Sequence, residues 1–233
     1  MIVALRAVGA TVTDLSLTAI ESLDTGPIHD AVLRLDQYAW LVLASAPAVT
    51  SLELALDATG ALLGARKLAV VGDATLDAVE AMGWPVTTSP ERSGVDGLLD
   101  VLATRGDVDG TRVLYPAAEG VRDVLPSGLR SLGATVDVVP VFRTVPDLAA
   151  RARLLAMVAN EAFDLVTVSA PGTLDALLEA IPPEHVGRIP VACVGPVAAR
   201  AARKAGFPVK VEAEHPSPAT MVRRIVAAFQ SSR

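Results

Sequence analysis

Five short junctions in this chain place small residues, hydroxyls and one guanidinium where a strand gives way to a helix. They are ASAPAV with Ser45 and Ala46, VVGDAT with Gly72, Asp73 and Thr75, and PAAEGVR with Ala117 and Arg122. VSAPGT with Ser169 and Ala170, and CVGPVA with Gly195, Pro196 and Val197, complete the set. A helix start exposes N–H groups that no intrahelical bond satisfies, together with the positive end of the helix dipole. Such an end holds a carboxylate or phosphate without any lysine, and in open α/β sheets it lies at the ligand-binding edge. The chemistry indicated is anion holding by main-chain donors, with Arg122 as a fork-shaped partner for a carboxylate. Helix capping by the two serines and tight turning by the two glycines use the same geometry, and both readings stay open. Asp73 is the expected cap of the helix after Gly72, with Thr75 adding a hydroxyl to its first turn.

Other chemistries lack their residues. Ser45 and Ser169 are flanked by alanines where a strained nucleophile elbow needs glycines, and no histidine is placed to serve them. His29, His185 and His215 stand in polar or proline-flanked contexts and read as surface residues. No glycine-rich dinucleotide fingerprint, phosphate-binding loop, C-x-x-C or H-E-x-x-H occurs, so neither a cofactor nor a metal is expected. A net charge of −6 opposes binding along a nucleic-acid backbone. No apolar run reaches the roughly 18 residues of a membrane helix. The opening MIVALRAVGA has no secretory pattern, and the single Cys193 cannot form a disulfide within the chain, so a cytoplasmic protein is expected.

The elements that must position these junctions are visible as alternation. Apolar runs TVTDLSLT, WLVLAS, KLAVVG, RVLYP, TVDVVPVF, DLVTVS, PVACVG and PVKVEAE are separated by helical stretches such as TLDAVEAM and VAARAARKA. That order predicts parallel α/β architecture. The composition, 52% hydrophobic but 3% aromatic, calls for a core of Ala, Val and Leu, which suits helices packed on a parallel sheet.

An internal repeat divides the chain. WLVLASAPAV around Ser45 matches DLVTVSAPGT around Ser169 at an offset of 124. LRAVGATVTDLSL around Gly9 matches LRSLGATVDVVPV around Gly133 at 124, and the blocks around Gly72 and Gly195 match at 123. Two similar α/β domains are therefore expected: one continuous over 18–144, inserted into a discontinuous one of 1–17 and 145–233. Two linking strands, near 15–20 and 138–144, would join them, with a cleft between. The strand RVLYP has no counterpart 124 residues earlier, where the position falls before Met1, so the first strand of the discontinuous domain and the turn after it are expected to be missing.

In order and spacing these blocks resemble the uroporphyrinogen-III synthase family. ASAPAV, VVGDAT, LRSLGATVDVVPVFRT, VSAPGT, CVGPVAAR and AEHPSP carry the resemblance, which covers the chain from residue 4 onward. It implies a monomer of two α/β domains that binds a linear tetrapyrrole, hydroxymethylbilane, and closes it with inversion of ring D and loss of water, without cofactor. It also implies that the junction residues above touch substrate, and Phe142 with them. Phe142 stands where the family commonly has a tyrosine that helps the hydroxyl leave, Val197 and Ala44 where it has threonines, and Thr75 is the matched hydroxyl that survives. The second reading of the same residues is a homologue that binds a tetrapyrrole or another polyanion without turnover.

Overall fold

The structure is a computed structural model, and it describes residues 1–90, 94–168, 171–214 and 217–230. The chain divides into two compact units. The central unit is Ile20–Val145; the terminal unit joins Met1–Ala19 to Pro146–Arg233. Each is an α/β layer structure with parallel strand pairs.

In the central unit five strands take the order β1-β5-β4-β2-β3. They are β1 (Thr18–Ser22), β2 (Trp40–Leu43), β3 (Lys67–Val70), β4 (Arg112–Ala118) and β5 (Thr135–Pro146). All four residues of β2 are buried, because β4 and β3 pair with its edges and helices cover its faces. That is why WLVL is apolar without alternation. After β2 runs α3 (Ala46–Thr59), which begins with Pro47 in its first turn and ends at Gly60 in the left-handed region, φ 68°. After β3 runs α4 (Asp73–Ala81), then α5 (Val95–Arg105), and after β4 runs α6 (Val124–Ser131). The helix α2 (Gly26–Val32) packs on α3.

The strand starts, at the opposite edge from these helix starts, are tied by charge. Asp137 accepts from Tyr38 at 2.6 Å and from Arg112 at 2.9 Å. Asp107 binds Lys67 at 2.8 Å and Arg105 at 3.0 Å, and both cations lie over the Trp40 ring.

The terminal unit holds a three-stranded sheet, β6 (Val166–Val168), β7 (Val191–Cys193) and β8 (Val209–Glu212), in that order. Its helices are α1 (Ile2–Ala7), α7 (Leu148–Ala159), α8 (Pro171–Ala180), α9 (Pro183–Val186), α10 (Pro196–Lys204) and α11 (Pro218–Gln230). Asp147 caps α7 by accepting from the Ala150 N–H at 2.9 Å. One expected strand is corrected: residues 11–17 of TVTDLSLT form no ladder, and β1 begins only at Thr18. Its repeat counterpart is β5, which pairs with β4, and among the described residues the terminal unit has no strand in β4's place for 11–17 to bond. Among the described residues no helix is long and apolar enough to cross a membrane.

Candidate functional site

The turns that leave β2, β3 and β4 lie along one edge of the central sheet, since Leu43 pairs with Val70 and β4 flanks β2 on the other side. Ser45 is extended, φ −160° and ψ 145°, and stands at the cap position of α3. Its hydroxyl makes no cap bond; the Ser45 carbonyl instead accepts from Ala48 and Val49 at 3.1 and 3.3 Å. Pro47 has no N–H, so Ala46 supplies the main-chain donor ahead of those bonds.

The turn after β3 corrects an expectation. Gly72, not Asp73, stands at the cap position of α4, and Asp73 is the first helical residue with no cap bond. The cause is backbone geometry. Gly72 has φ 89° and ψ 143°, a region only glycine enters freely, and this bend starts the helix one residue after a position without a side chain. The N–H groups of Asp73 and Ala74 therefore precede the first helical bonds, which Thr75 and Leu76 donate to the Gly72 carbonyl, each at 3.0 Å. Thr75 is 4% exposed and is the one buried polar residue among those described. Its hydroxyl makes no hydrogen bond to any described residue, and it faces Gly72, 3.9 Å from where a Cβ there would stand.

In the terminal unit the same geometry recurs after β7. Gly195, φ 99° and ψ 165°, caps α10, Pro196 takes the first helical position, and Val197 is 59% exposed. Ser169 and Ala170 lie outside the described residues.

Two of the expected site residues have buried side chains. Ala117 is buried in the core, so only its backbone is available to a ligand. The Phe142 ring is also buried, in the cluster that holds Leu41, Leu43 and Val141. A tyrosine hydroxyl there would enter an apolar core, which explains why phenylalanine suits this backbone. Beside it, Arg143 of β5 pairs with Glu21 of β1 at 2.8 Å, and the guanidinium's hydrogen bonds hold the Glu21 carboxyl below its usual range. The pair is separated by 122 residues, and nothing in the sequence marked it. Two histidines depart from a plain surface reading: His29 and His185 are half-buried, His185 with its Nδ1 buried and unpartnered; His215 lies outside the described residues.

Arg122 is exposed in the loop between β4 and α6. It is the one described cation of the central unit without a hydrogen bond or ion pair. Arg34 and Arg66 bond main-chain carbonyls, and Lys67, Arg105, Arg112, Arg130 and Arg143 bond carboxylates. By sequence the central unit carries 9 Lys and Arg against 17 Asp and Glu, and the terminal unit 11 against 9. An anion at the central edge therefore meets one free guanidinium and the helix N–H groups in an otherwise acidic unit. Among the described residues no three His, Cys, Asp or Glu side chains gather as a metal site.

Fold and edge together define a two-unit parallel α/β protein whose candidate ligand groups sit on the turns after the strands, many of them main-chain donors. Comparison with known proteins supplies the family. The family model described as uroporphyrinogen-III synthase HemD matches residues 1–223, and the chain belongs to the uroporphyrinogen-III synthase family. A provisionally named uroporphyrinogen-III synthase of Methanothermobacter thermautotrophicus is 29% identical over 199 residues, 81% of this chain and 78% of that protein. The uroporphyrinogen-III synthase of Synechococcus elongatus is 30% identical over 144 residues, 60% of this chain and 54% of the relative. A crystal structure of a mutant Thermus thermophilus uroporphyrinogen III synthase shares the fold, with TM-score 0.66 at 19% identity, covering 98% of this chain and 93% of that one.

Proposed function

We propose that this chain is a working uroporphyrinogen-III synthase, a cyclising lyase that converts hydroxymethylbilane to the ring with ring D inverted, releasing water. The observation that carries the reading is the family match over residues 1–223. On the route the family implies, loss of the terminal hydroxyl leaves an azafulvenium cation, which attacks the substituted end of ring D and forms a spiro intermediate that fragments and recloses. The reacting pyrroles supply most of that chemistry. The protein's part is to hold a carboxylate-rich chain in the folded geometry from which this attack beats direct closure.

The strand-end edge suits that part. Ala46, Asp73 and Ala74 offer main-chain donors, Arg122 offers a guanidinium with no internal partner, and Thr75 offers a hydroxyl with none. In the terminal unit the start of α10 at Gly195, Pro196 and Val197 is the matching position, joined in the proposal by Ser169 and Ala170. Phe142 drops out of proton donation, both by chemistry and by its burial. The buried, unpaired thiol of Cys193 accords with a cytoplasmic site of action, and the acting form in this proposal is the monomer.

The test is a coupled assay in which hydroxymethylbilane is generated in situ and the type I and type III porphyrins are separated after oxidation. Type III above the uncatalysed control is expected. Only type I from folded protein would leave the second reading, a tetrapyrrole binder without turnover, which the exposed Val197 in place of a hydroxyl favours.

A further inference from the structure

Two helices of the central unit, α3 and α4, pack against each other and end side by side. In a parallel α/β unit each helix runs back along the sheet, so these ends lie at the strand-start edge, about 20 Å from the turns that leave β2 and β3. α3 stops at Gly60 and α4 before Gly83, two glycines in the left-handed region at φ 68° and 69°. After Gly60 the chain buries Leu63 and leaves Leu62 86% exposed. After Gly83 the Trp84 N–H donates to the Val79 carbonyl at 3.3 Å, and the indole is half-buried. A depression of about 260 Å³ is lined there by Leu56, Leu62, Leu63, Met82 and Trp84. Glu53 and Asp57, one turn apart on α3, line it as well.

The groove is negative beyond its side chains. A helix ends in carbonyls that carry the negative pole of its dipole, which a Lys or Arg in the last turn offsets. α5, α6 and α10 have such residues in Arg105, Arg130 and Arg203. α3 and α4 have none, and carry Asp57 and Glu80 in their last turns instead. The ion pairs of the central unit engage Glu21, Asp107, Asp123 and Asp137. The carboxylates of Glu53, Asp57 and Glu80 have no partner among the described residues.

We propose that this groove is a docking surface for a basic segment of a partner protein. The segment lays a large apolar side chain against Leu62 and Trp84, and a Lys or Arg against Glu53 and Asp57. Charge complementarity selects that occupant: two uncompensated helix ends and three unpaired carboxylates attract a cation and repel a carboxylate-rich substrate. The distance from the helix starts leaves the anion-holding edge open while the partner is bound. The inference rests on the groove and its charge, and does not depend on the activity.

The probe is a synthetic amphipathic helix of leucine and lysine, beside one with glutamate for every lysine and one with serine for every leucine. The chain has two tryptophans, and Trp40 is 1% exposed, so a change in fluorescence on binding reports Trp84. Saturable binding of the leucine–lysine helix is expected, at least about tenfold tighter than either control at low salt. The double variant Glu53→Gln, Asp57→Asn should weaken it about tenfold and Leu62→Ser about threefold, with melting temperatures unchanged because these side chains have no internal partners or are exposed. No saturable change would overturn the proposal, as would equal affinity for the glutamate helix or for the double variant. A protein that is already a dimer with Trp84 covered would also overturn it, since a second copy would then be the occupant.

Discussion

Replacing Thr75 by valine separates a structural hydroxyl from a ligand-binding one, because the first role would show in stability and the second in activity. The side chain is 4% exposed and its hydroxyl has no partner among the described residues. Among the described residues only the His185 Nδ1 is a fully buried side-chain polar atom without a partner, so the Thr75 hydroxyl keeps contact with solvent, and valine keeps the shape while removing a group whose internal contribution is small. Threonine and valine have similar helix propensities, so the backbone of α4 is indifferent to the change. Thr75→Val is therefore expected to leave stability within about 0.5 kcal/mol of the parent protein, with little change in melting temperature. If the hydroxyl bonds a charged group of the substrate, the lost interaction is worth about 1.5–3 kcal/mol, or roughly 10- to 150-fold in kcat/KM.

The assay is formation of the type III isomer from hydroxymethylbilane made in situ, with thermal unfolding measured on the same samples. Thr75→Ser is the control: it keeps the hydroxyl and loses a buried methyl, so it should cost about 1 kcal/mol of stability while retaining most activity. Full activity in Thr75→Val, or a loss of more than about 1 kcal/mol in its stability, would refute the reasoning. The first result would mean that no substrate atom meets the hydroxyl; the second would mean that it already has a partner.

Arg122→Ala should weaken substrate binding roughly tenfold at low salt and less at high salt, with an unchanged melting temperature, because an exposed and unpaired guanidinium contributes nothing internal. Equal affinity in the two proteins would contradict it. Gly72→Ala, at φ 89°, should cost about 1–3 kcal/mol in denaturant unfolding from backbone strain alone, since its new Cβ meets nothing closer than Thr75 Oγ1 at 3.9 Å. The Cys193 thiol is 0% exposed and pushed up chiefly by burial, so a thiol reagent at neutral pH should label it only as the protein opens; rapid stoichiometric labelling of folded protein would count against that. Tyr38 is pushed up to about 12, first by desolvation and then by its hydrogen bond to Asp137, and burial also raises Tyr115. A phenol raised on folding favours its neutral form there, so this stabilisation is full below the ordinary value of 10.0 and is lost as pH rises toward about 12. A tyrosinate absorbance step near pH 10 in the folded protein would oppose this.

What could be read from the sequence was what side-chain pattern encodes. WLVL, KLAV, RVLYP and VAC are strands because apolar runs of that length are buried on both faces of a parallel sheet, and the burial of β2 bears this out. What failed depended on neighbours or on backbone. TVTDLSLT has a strand's composition, yet 11–17 form no ladder because a strand needs a partner's edge as well as its own pattern. Asp73 has a capping side chain, yet the φ of Gly72 moved the cap one residue back.

The charge of the central unit sharpens the argument about Arg122. Seven of its described cations are engaged, several of them in the clusters that tie the strand starts around Asp107 and Asp137. A basic residue count would have pointed to that end of the sheet, where every guanidinium is already neutralised by a carboxylate or spent on a carbonyl. A free anion is drawn to uncompensated donors, and these are the main-chain N–H groups at the helix starts and one arginine at the strand ends. Such donors are part of the folded backbone. They stay in place when pH or salt changes, and an acidic unit can thus offer an anion site without becoming a general binder of polyanions.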